Sequence, residues 1–163
     1  MPVSRSEGAL SQTRAPNLLS LPIEARNRIY EQVLTVPHPL FLFKDPGCPV
    51  ATFAPEKPRR WLSLLYTNRQ ISEEASVVLY GMNQFTLEEM ETKNRRSGLL
   101  RSFLNCIGPV NAASLSHLCI NFPAMEQIEG HSEGIRLEED GLQTLQLLQR
   151  ECTGLQTLEL LLF

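Results

Sequence analysis

The stretch WLSLLYTNRQISEEASVVLYGMNQF, residues 61–85, carries the clearest periodic signal in the chain. Its apolar side chains recur at spacings of three and four, which places them on one stripe of an α-helix. The members of this stripe are Trp61, Leu64, Leu65, Ile71, Ala75, Val78, Leu79 and Met82. Gly81, at the end of the stripe, is typical of a left-handed C-terminal cap. The pattern predicts one long helix, a glycine stop and a strand that begins near Phe85.

The opposite face of this helix is polar. It carries Arg69, Gln70, Glu73 and Glu74. Arg69 and Glu73 are four residues apart and can pair, but exposed pairs of this kind contribute only about 0.3–0.5 kcal/mol. An ion pair between this helix and an earlier one is also considered, and it would join either Arg69 to Glu24 or Arg26 to Glu74. Asn68 lies inside the apolar stripe, so its amide is expected to bond backbone groups of a loop.

The first ordered element is predicted at residues 18–36, LLSLPIEARNRIYEQVLTV. Pro22 suits the first helical position, and Glu24 suits the first turn because the helix dipole favours a carboxylate there. Arg26 is placed with the residues that face away from the core or lie on its rim. The predicted apolar face consists of Ile23, Ile29, Tyr30, Val33 and Leu34.

Residues 37–58 contain six of the eleven prolines, which excludes a regular helix. Two short strand-like pieces, Leu40–Phe43 and Val50–Phe53, predict a hairpin that turns near Asp45-Pro46-Gly47. A charged connection from Glu88 to Arg96 then precedes a third helix.

The third helix is predicted from an apolar face that runs from Leu99 to Ile107, and Gly108-Pro109 is expected to stop it. After it we expect a strand at 114–122, a loop at 124–137, a helix at about 138–152 and a last strand at 155–163.

The two C-terminal strands repeat one another. Leu115-x-x-Leu118-x-Ile120 matches Leu155-x-x-Leu158-x-Leu160 at an offset of 40 residues. This L-x-x-L-x-L pattern is the strand half of a leucine-rich-repeat-like unit. Strands joined by a helix in this way are expected to be parallel, with residues 85–87 as a third member. The last strand is apolar, so we expect either the tail or a partner to cover it, or further repeats to follow Phe163.

Composition is that of an ordinary globular chain, with 42% hydrophobic and 20% charged residues. Residues 1–122 contain 13 basic and 10 acidic side chains, whereas residues 123–163 contain 2 and 8. This asymmetry argues against a basic nucleic-acid binder, and the small basic groups Lys57/Arg59/Arg60 and Lys93/Arg95/Arg96 are interpreted as solubilising loop charge.

Cysteine and histidine are scattered, with no C-x-x-C pair to hold zinc, so we expect reduced thiols and no metal or other cofactor. His117 and Cys119 share a strand face, but no signature of a Cys–His nucleophile accompanies them, so we predict no enzyme. Residues 1–16 are interpreted as a disordered tail without a secretory signal. The sequence contains no run of about 18 apolar residues, so we expect no membrane span. A cytoplasmic or nuclear location is expected.

Three segments in this order resemble a large family of F-box-like proteins of filamentous fungi, most of them uncharacterised. The segments are Leu18-Leu19-x-Leu21-Pro22-x-Glu24-x-Arg26-Asn27-x-Ile29-Tyr30, Leu64-Leu65-x-Thr67-x-Arg69-Gln70-Ile71-x-x-Glu74-Ala75 and Leu79-Tyr80-Gly81-x-Asn83-x-Phe85. The resemblance covers residues 17–87 and, more loosely, the strand–helix region that follows.

The resemblance implies a protein-binding adaptor that docks on the Skp-type adaptor of a cullin–RING ubiquitin ligase and binds substrates through its C-terminal part. The docking residues that it implies are Leu21, Pro22, Ile23, Ile29 and Leu34. The alternative for Leu21, Pro22 and Ile23 is a helix start buried in the protein's own core. The corresponding alternative function is a structural protein-binding domain without a link to ubiquitin ligases.

We therefore predict an α+β protein in three parts. Residues 1–16 form the tail, residues 17–90 an F-box-like helical domain with a proline-rich hairpin insertion, and residues 91–163 a strand–helix–strand, leucine-rich-repeat-like region.

Overall fold

The computed structural model of the protein describes residues 17–45, 47–54, 57, 60–87, 98–121, 125–127 and 135–161. The predicted tail at 1–16 and the charged connection at 88–96 lie outside these residues. The helices, in chain order, are α1 Ile23–Leu34, α2 Arg69–Met82, α3 Gly98–Ser114 and α4 Glu139–Glu151. The strands are β1 Leu40–Phe43, β2 Ala51–Phe53, β3 Gln84–Leu87, β4 His117–Asn121, β5 Met125–Gln127, β6 Ile135–Leu137 and β7 Thr157–Leu161. Two 3₁₀ helices, Leu18–Ser20 and Trp61–Tyr66, precede α1 and α2.

Five strands form a mixed sheet in the order β2-β1-β3-β4-β7, so the predicted α+β class is confirmed. The predicted hairpin is also confirmed, because β1 and β2 pair antiparallel, and Gly47 takes a positive φ of 81° in the turn between them. The sequence did not indicate that β1 pairs in parallel with β3 and so joins the hairpin to the main sheet. Strands of both predicted regions therefore share one sheet.

The 40-residue repeat in the sequence is the register of the parallel sheet. Leu118 of β4 lies beside Leu158 of β7, and Ile120 lies beside Leu160. β3 also pairs in parallel with β4, as predicted, with Phe85 beside Leu118. Side chains two residues apart on a strand point to the same face, so one face of the sheet carries a continuous apolar surface. Its buried members are Leu40, Leu42, Phe85, Leu87, Leu118 and Ile120.

The single long helix predicted from Trp61 is wrong. The chain forms a 3₁₀ helix at Trp61–Tyr66 and starts α2 only at Arg69. The break lies at Asn68, whose extended backbone and side-chain oxygen cap α2, with Oδ1 accepting from the Gln70 N–H at 2.8 Å. A capped N-terminus satisfies amides that a continuous helix would bond internally, so the apolar period continues across a break in the backbone.

The predicted glycine cap of α2 is also wrong, because Gly81 lies inside the helix and has no positive φ. The side chain of Asn83 ends the helix instead. Its Nδ2 donates to the Leu79 carbonyl of α2 at 2.9 Å and to the Leu34 carbonyl of α1 at 3.0 Å, and its Oδ1 accepts from the Val36 N–H at 2.9 Å. One buried amide therefore caps the C-terminal ends of both helices.

Two further predictions need correction. Gly108 takes a positive φ of 79° and breaks α3, but the helix resumes at Pro109 and continues to Ser114, because Pro is favoured in the first turn of a helix. The segment predicted as a loop at 124–137 contains the antiparallel pair β5 and β6. Polar and glycine-containing sequence hides such short strands, since they have no apolar alternation to mark them.

Candidate functional site

The first helix presents apolar side chains on its outer side. Leu21, Ile23 and Ile29 are 37%, 39% and 37% exposed, and Pro22 between the first two is exposed as well. We call these four residues the apolar lip. The fifth residue that the sequence proposed for docking, Leu34, is 0% exposed and belongs to the core. Leu34 is therefore not on the surface, because it packs with the buried side of α1.

The arrangement follows from the residue spacing along α1. Arg26, Tyr30 and Leu34 are four residues apart, form one row along the helix, and are all buried. Residues 25, 29 and 33 form the neighbouring row, and its members are only partly covered. The apolar face of α1 is therefore wider than the surface that the rest of the described chain covers.

The segment before α1 is a tightly bonded turn. Asn17 caps the 3₁₀ helix with its Oδ1, which accepts from the Leu19 N–H at 3.1 Å. The Ser20 hydroxyl donates to the Asn17 carbonyl at 2.6 Å, and the Leu21 N–H donates to the Leu18 carbonyl at 3.2 Å. Leu18 and Leu19 pack against the core. The lip thus begins at the end of a short, internally hydrogen-bonded turn, residues 17–21, which we call the platform.

Arg26 joins this platform to α2. Its Nη1 donates to the Leu21 carbonyl at 2.5 Å, while Nε and Nη2 donate to the two carboxylate oxygens of Glu74 at 2.8 and 2.6 Å. The paired bonds match the planar fork of a guanidinium to a carboxylate. Of the two bridges that the sequence left open, the one between Arg26 and Glu74 is therefore formed.

Glu74 is a convergence point of hydrogen bonds. Besides Arg26, its carboxylate accepts from the Tyr30 hydroxyl at 2.9 Å and from Gln70 Nε2 at 2.9 Å. The bonds from Arg26 and then Gln70 lower the pKa of Glu74 to about 2. Burial, followed by the bond to Glu74, raises the pKa of Tyr30. The network therefore consists of an ionised carboxylate with donors on both sides, packed between the two helices.

The pairing of Arg26 with Glu74 was one of two alternatives from the sequence, but the burial of Arg26 and the capping role of Asn83 were not predicted. Arg26 was placed on the outer side or rim of α1, yet it is 8% exposed. The signal that could have found it is its spacing of four from Tyr30 and eight from Leu34, which puts it in the buried row. Asn83 gave no periodic signal, because its role as a cap depends on two helix ends that meet only in the folded chain.

The second group considered from the sequence lies on the polar face of the sheet. His117 Nε2 lies 2.8 Å from Glu159 Oε1, and Gln84 Nε2 donates to Glu159 Oε2 at 3.0 Å. Cys119 is buried nearby, and burial raises the pKa of its thiol. A nucleophilic cysteine needs a lowered pKa, so this environment favours an unreactive thiol.

A shallow cleft of about 180 Å³ lies between α3 and α4 and includes neither His117 nor Cys119. Its lining residues are Arg101, Leu104, Asn105, Gly108, Pro109, Leu147, Arg150 and Glu151. Arg150 pairs with Glu151 at 2.9 Å. The lining therefore combines two buried leucines, Leu104 and Leu147, with polar side chains, and it contains no Ser, Thr, Cys or His.

In the first basic group, Lys57/Arg59/Arg60, the lysine contacts other residues of the protein. Lys57 Nζ donates to the Val33 carbonyl at 2.9 Å and lies 5.8 Å from the centre of the Trp61 ring. Arg60 is described and exposed, whereas Arg59 and the group Lys93/Arg95/Arg96 lie outside the described residues.

Within the described part of the chain, His, Cys, Asp and Glu side chains form no group of three that could hold a metal ion. The helices of the same residues include none with the length and apolar character needed to cross a bilayer. Comparisons of the chain with protein-family models, with curated proteins and with solved structures gave no match.

Proposed function

We propose that the protein is a non-enzymatic, F-box-like adaptor that binds a Skp-type adaptor of a cullin–RING ubiquitin ligase through the apolar lip. The observation that carries the proposal is the exposure of Leu21, Ile23 and Ile29, each more than a third exposed, on a helix whose other side is fully buried. Leu21, Pro22 and Ile23 are consecutive at the start of α1, and Ile29 lies near its middle. Exposed large apolar side chains on one element are typical of protein-binding surfaces.

The order of the lip residues in the free protein supports the same proposal. Association costs less free energy when the binding residues are already ordered in the free protein. The Asn17-capped turn and the bond from Arg26 to the Leu21 carbonyl order the lip before any partner arrives. Exposed charged residues, Glu24 and Arg28, flank it on α1 and supply a polar rim.

For the C-terminal part we propose a leucine-rich-repeat-like layer that binds substrate. The support is the parallel pairing of β3, β4 and β7 and the in-register 40-residue repeat. The raised pKa of the buried Cys119 thiol and the composition of the cleft between α3 and α4 favour binding over catalysis.

The experiment is a binding titration of purified protein with a Skp-type adaptor, with an authentic F-box protein as the positive control. We expect binding by the wild-type chain and loss of binding in the double variant Leu21→Ser/Ile23→Ser. The matched control is Val110→Ser, because Val110 is an exposed apolar residue, at 76%, on a different helix. This control should bind like the wild type.

The proposal fails if the wild-type chain does not bind at concentrations at which the authentic F-box protein binds. It also fails if Val110→Ser weakens binding as much as the lip variant does, because the lip would then have no special role. In either case the alternative, a structural domain that binds proteins without a ubiquitin ligase, takes its place.

A further inference from the structure

We infer that Arg26 is the positioning residue of the apolar lip: one guanidinium group fixes the Leu21 carbonyl to the Glu74 carboxylate and thereby sets the direction in which Leu21, Pro22 and Ile23 project. The link to partner binding rests on the proposed function, whereas the ordering of the lip can be tested on the protein alone.

Arg26 bonds two separate parts of the chain, α2 and the turn that precedes α1. Two of its three nitrogens are occupied by Glu74 on α2, and the third, Nη1, reaches back to the last carbonyl before Pro22. The N–H of Leu21 donates to the Leu18 carbonyl within the turn, whereas its carbonyl accepts from Nη1 of Arg26. The side-chain bond to Leu21 therefore adds a link from this turn to α1 and α2 that the backbone bonds of the turn do not make.

A lysine at this position could not replace the arginine. An ammonium group is a compact point charge and does not supply a planar fork together with a third donor that points elsewhere. In Arg26→Lys the cation is expected to stay with the carboxylate of Glu74 and to release the Leu21 carbonyl. The turn at 17–21 would then keep its own bonds and the core packing of Leu18 and Leu19, but it would lose the hydrogen-bonded link from Leu21 to α2.

Tyr30 provides the matched control. Its hydroxyl bonds the same carboxylate of Glu74 at 2.9 Å, on the same helix as Arg26, but the hydroxyl is not the donor to the Leu21 carbonyl. Tyr30→Phe therefore weakens the network around Glu74 without cutting the link to the lip. A merely structural role of Arg26 predicts that both variants behave alike, whereas a positioning role predicts that they differ at the lip.

The test is ¹⁵N relaxation of the amides of Leu19, Ser20 and Leu21. In the wild type and in Tyr30→Phe we expect order parameters near those of a rigid backbone, about 0.85. In Arg26→Lys we expect these three values to fall toward about 0.6, while the amides of α2 keep theirs. The ¹³C shift of the Leu21 carbonyl should move in the same variant, because that atom loses its donor.

Unchanged order parameters at residues 19–21 in Arg26→Lys would overturn the inference, as would equal changes in Tyr30→Phe. Should Arg26→Lys fail to fold, Glu74→Gln is the second variant. It keeps the size of the side chain and removes the ion that holds Arg26, so the same three amides should loosen to a smaller degree.

A measurement of binding affinity distinguishes this inference from the proposed function. If the Skp-type adaptor binds the wild type, Arg26→Lys should weaken that affinity about tenfold, because the partner must then order the lip itself, and Tyr30→Phe should leave it within about twofold. Absence of wild-type binding would defeat the proposed function alone, because the order parameters still decide the role of Arg26.

Discussion

The two sides of α1 both carry aliphatic residues, but they differ in solvent exposure. Leu34 is 0% exposed and packs in the core, whereas its neighbour Val33 is 37% exposed, as is Ile29 one turn earlier. Burial of an aliphatic side chain stabilises the fold by about 1.5–3 kcal/mol, and a side chain left partly in water contributes only a part of that. The inner side of α1 therefore serves stability, and the outer side is the part that a partner could still cover.

This difference makes the functions of the helix separable by single substitutions. Changes on the inner side should unfold the protein without informing us about binding. Changes on the outer side should leave the fold intact and report on binding alone. Substitutions of Leu34 and Ile29 test that separation, and removal of the Glu74 charge tests the network that holds the inner side of α1 to α2.

Leu34→Ala is expected to lower the free energy of unfolding by about 2–5 kcal/mol, because it leaves a cavity in a fully buried site. Urea unfolding followed by circular dichroism measures it. The control is Val33→Ala on the adjacent, exposed side, which should stay within about 0.5 kcal/mol of the wild type. Similar losses in the two variants would mean that both sides of α1 are equally important for folding.

Glu74→Gln is expected to change how stability depends on pH. The pKa of Glu74 is about 2 in the folded protein, against an ordinary value of 4.5, so its ionised form favours folding. This contribution is complete above pH 4.5 and is lost as the pH falls from about 4.5 to about 2. Melting temperatures of the wild type should therefore fall in this window, and those of Glu74→Gln should start lower at neutral pH and fall less.

Glu73→Gln is the matched control for this titration. Glu73 precedes Glu74 on α2 and pairs with Arg69 at 2.9 Å, but the side chains of the pair are 65% and 93% exposed. Screening by water makes such a pair nearly neutral for stability. The melting curve of Glu73→Gln should follow the wild type at every pH, and a shift as large as that of Glu74→Gln would refute the distinction.

Ile29→Ser is expected to have the smallest effect on the fold, a loss of less than about 1 kcal/mol, since its side chain is already partly in water. Its affinity for the Skp-type adaptor should nevertheless fall, because a polar group would replace apolar contact area in the lip. Unfolding and binding are measured on the same preparation. A stability loss comparable to that of Leu34→Ala would show that Ile29 belongs to the core.

Much of the fold follows from local patterns. The apolar periods located α1 and α4 closely, but not the start of α2 or the end of α3. The repeat from Leu115 to Leu155 predicted the parallel pairing of β4 with β7, and the register of that pair follows the same 40-residue offset. Proline spacing located the hairpin. These features depend on neighbours along the chain, so one sequence is enough to predict them.

The remaining features depend on what meets in space. The apolar period of α2 extends back through residues 61–66 because a 3₁₀ helix and an α-helix can present apolar residues to the same core. The buried position of Arg26 depends on a carboxylate 48 residues away. No local rule could place the hairpin beside β3. For Leu21, Pro22 and Ile23 the sequence left two alternatives, and their exposure in the folded chain excludes a helix start buried in the core.

The side-chain amide of Asn83 helps to fix the distance between the apolar lip and the sheet. It anchors the C-terminal end of α1 next to the sheet, while Arg26 anchors the N-terminal end of the same helix to α2. With 12 residues, α1 is a strut about 18 Å long whose two ends are both fastened. A protein seated on the lip would thus stand at a set separation and angle from anything held by the strands, without a hinge between the two.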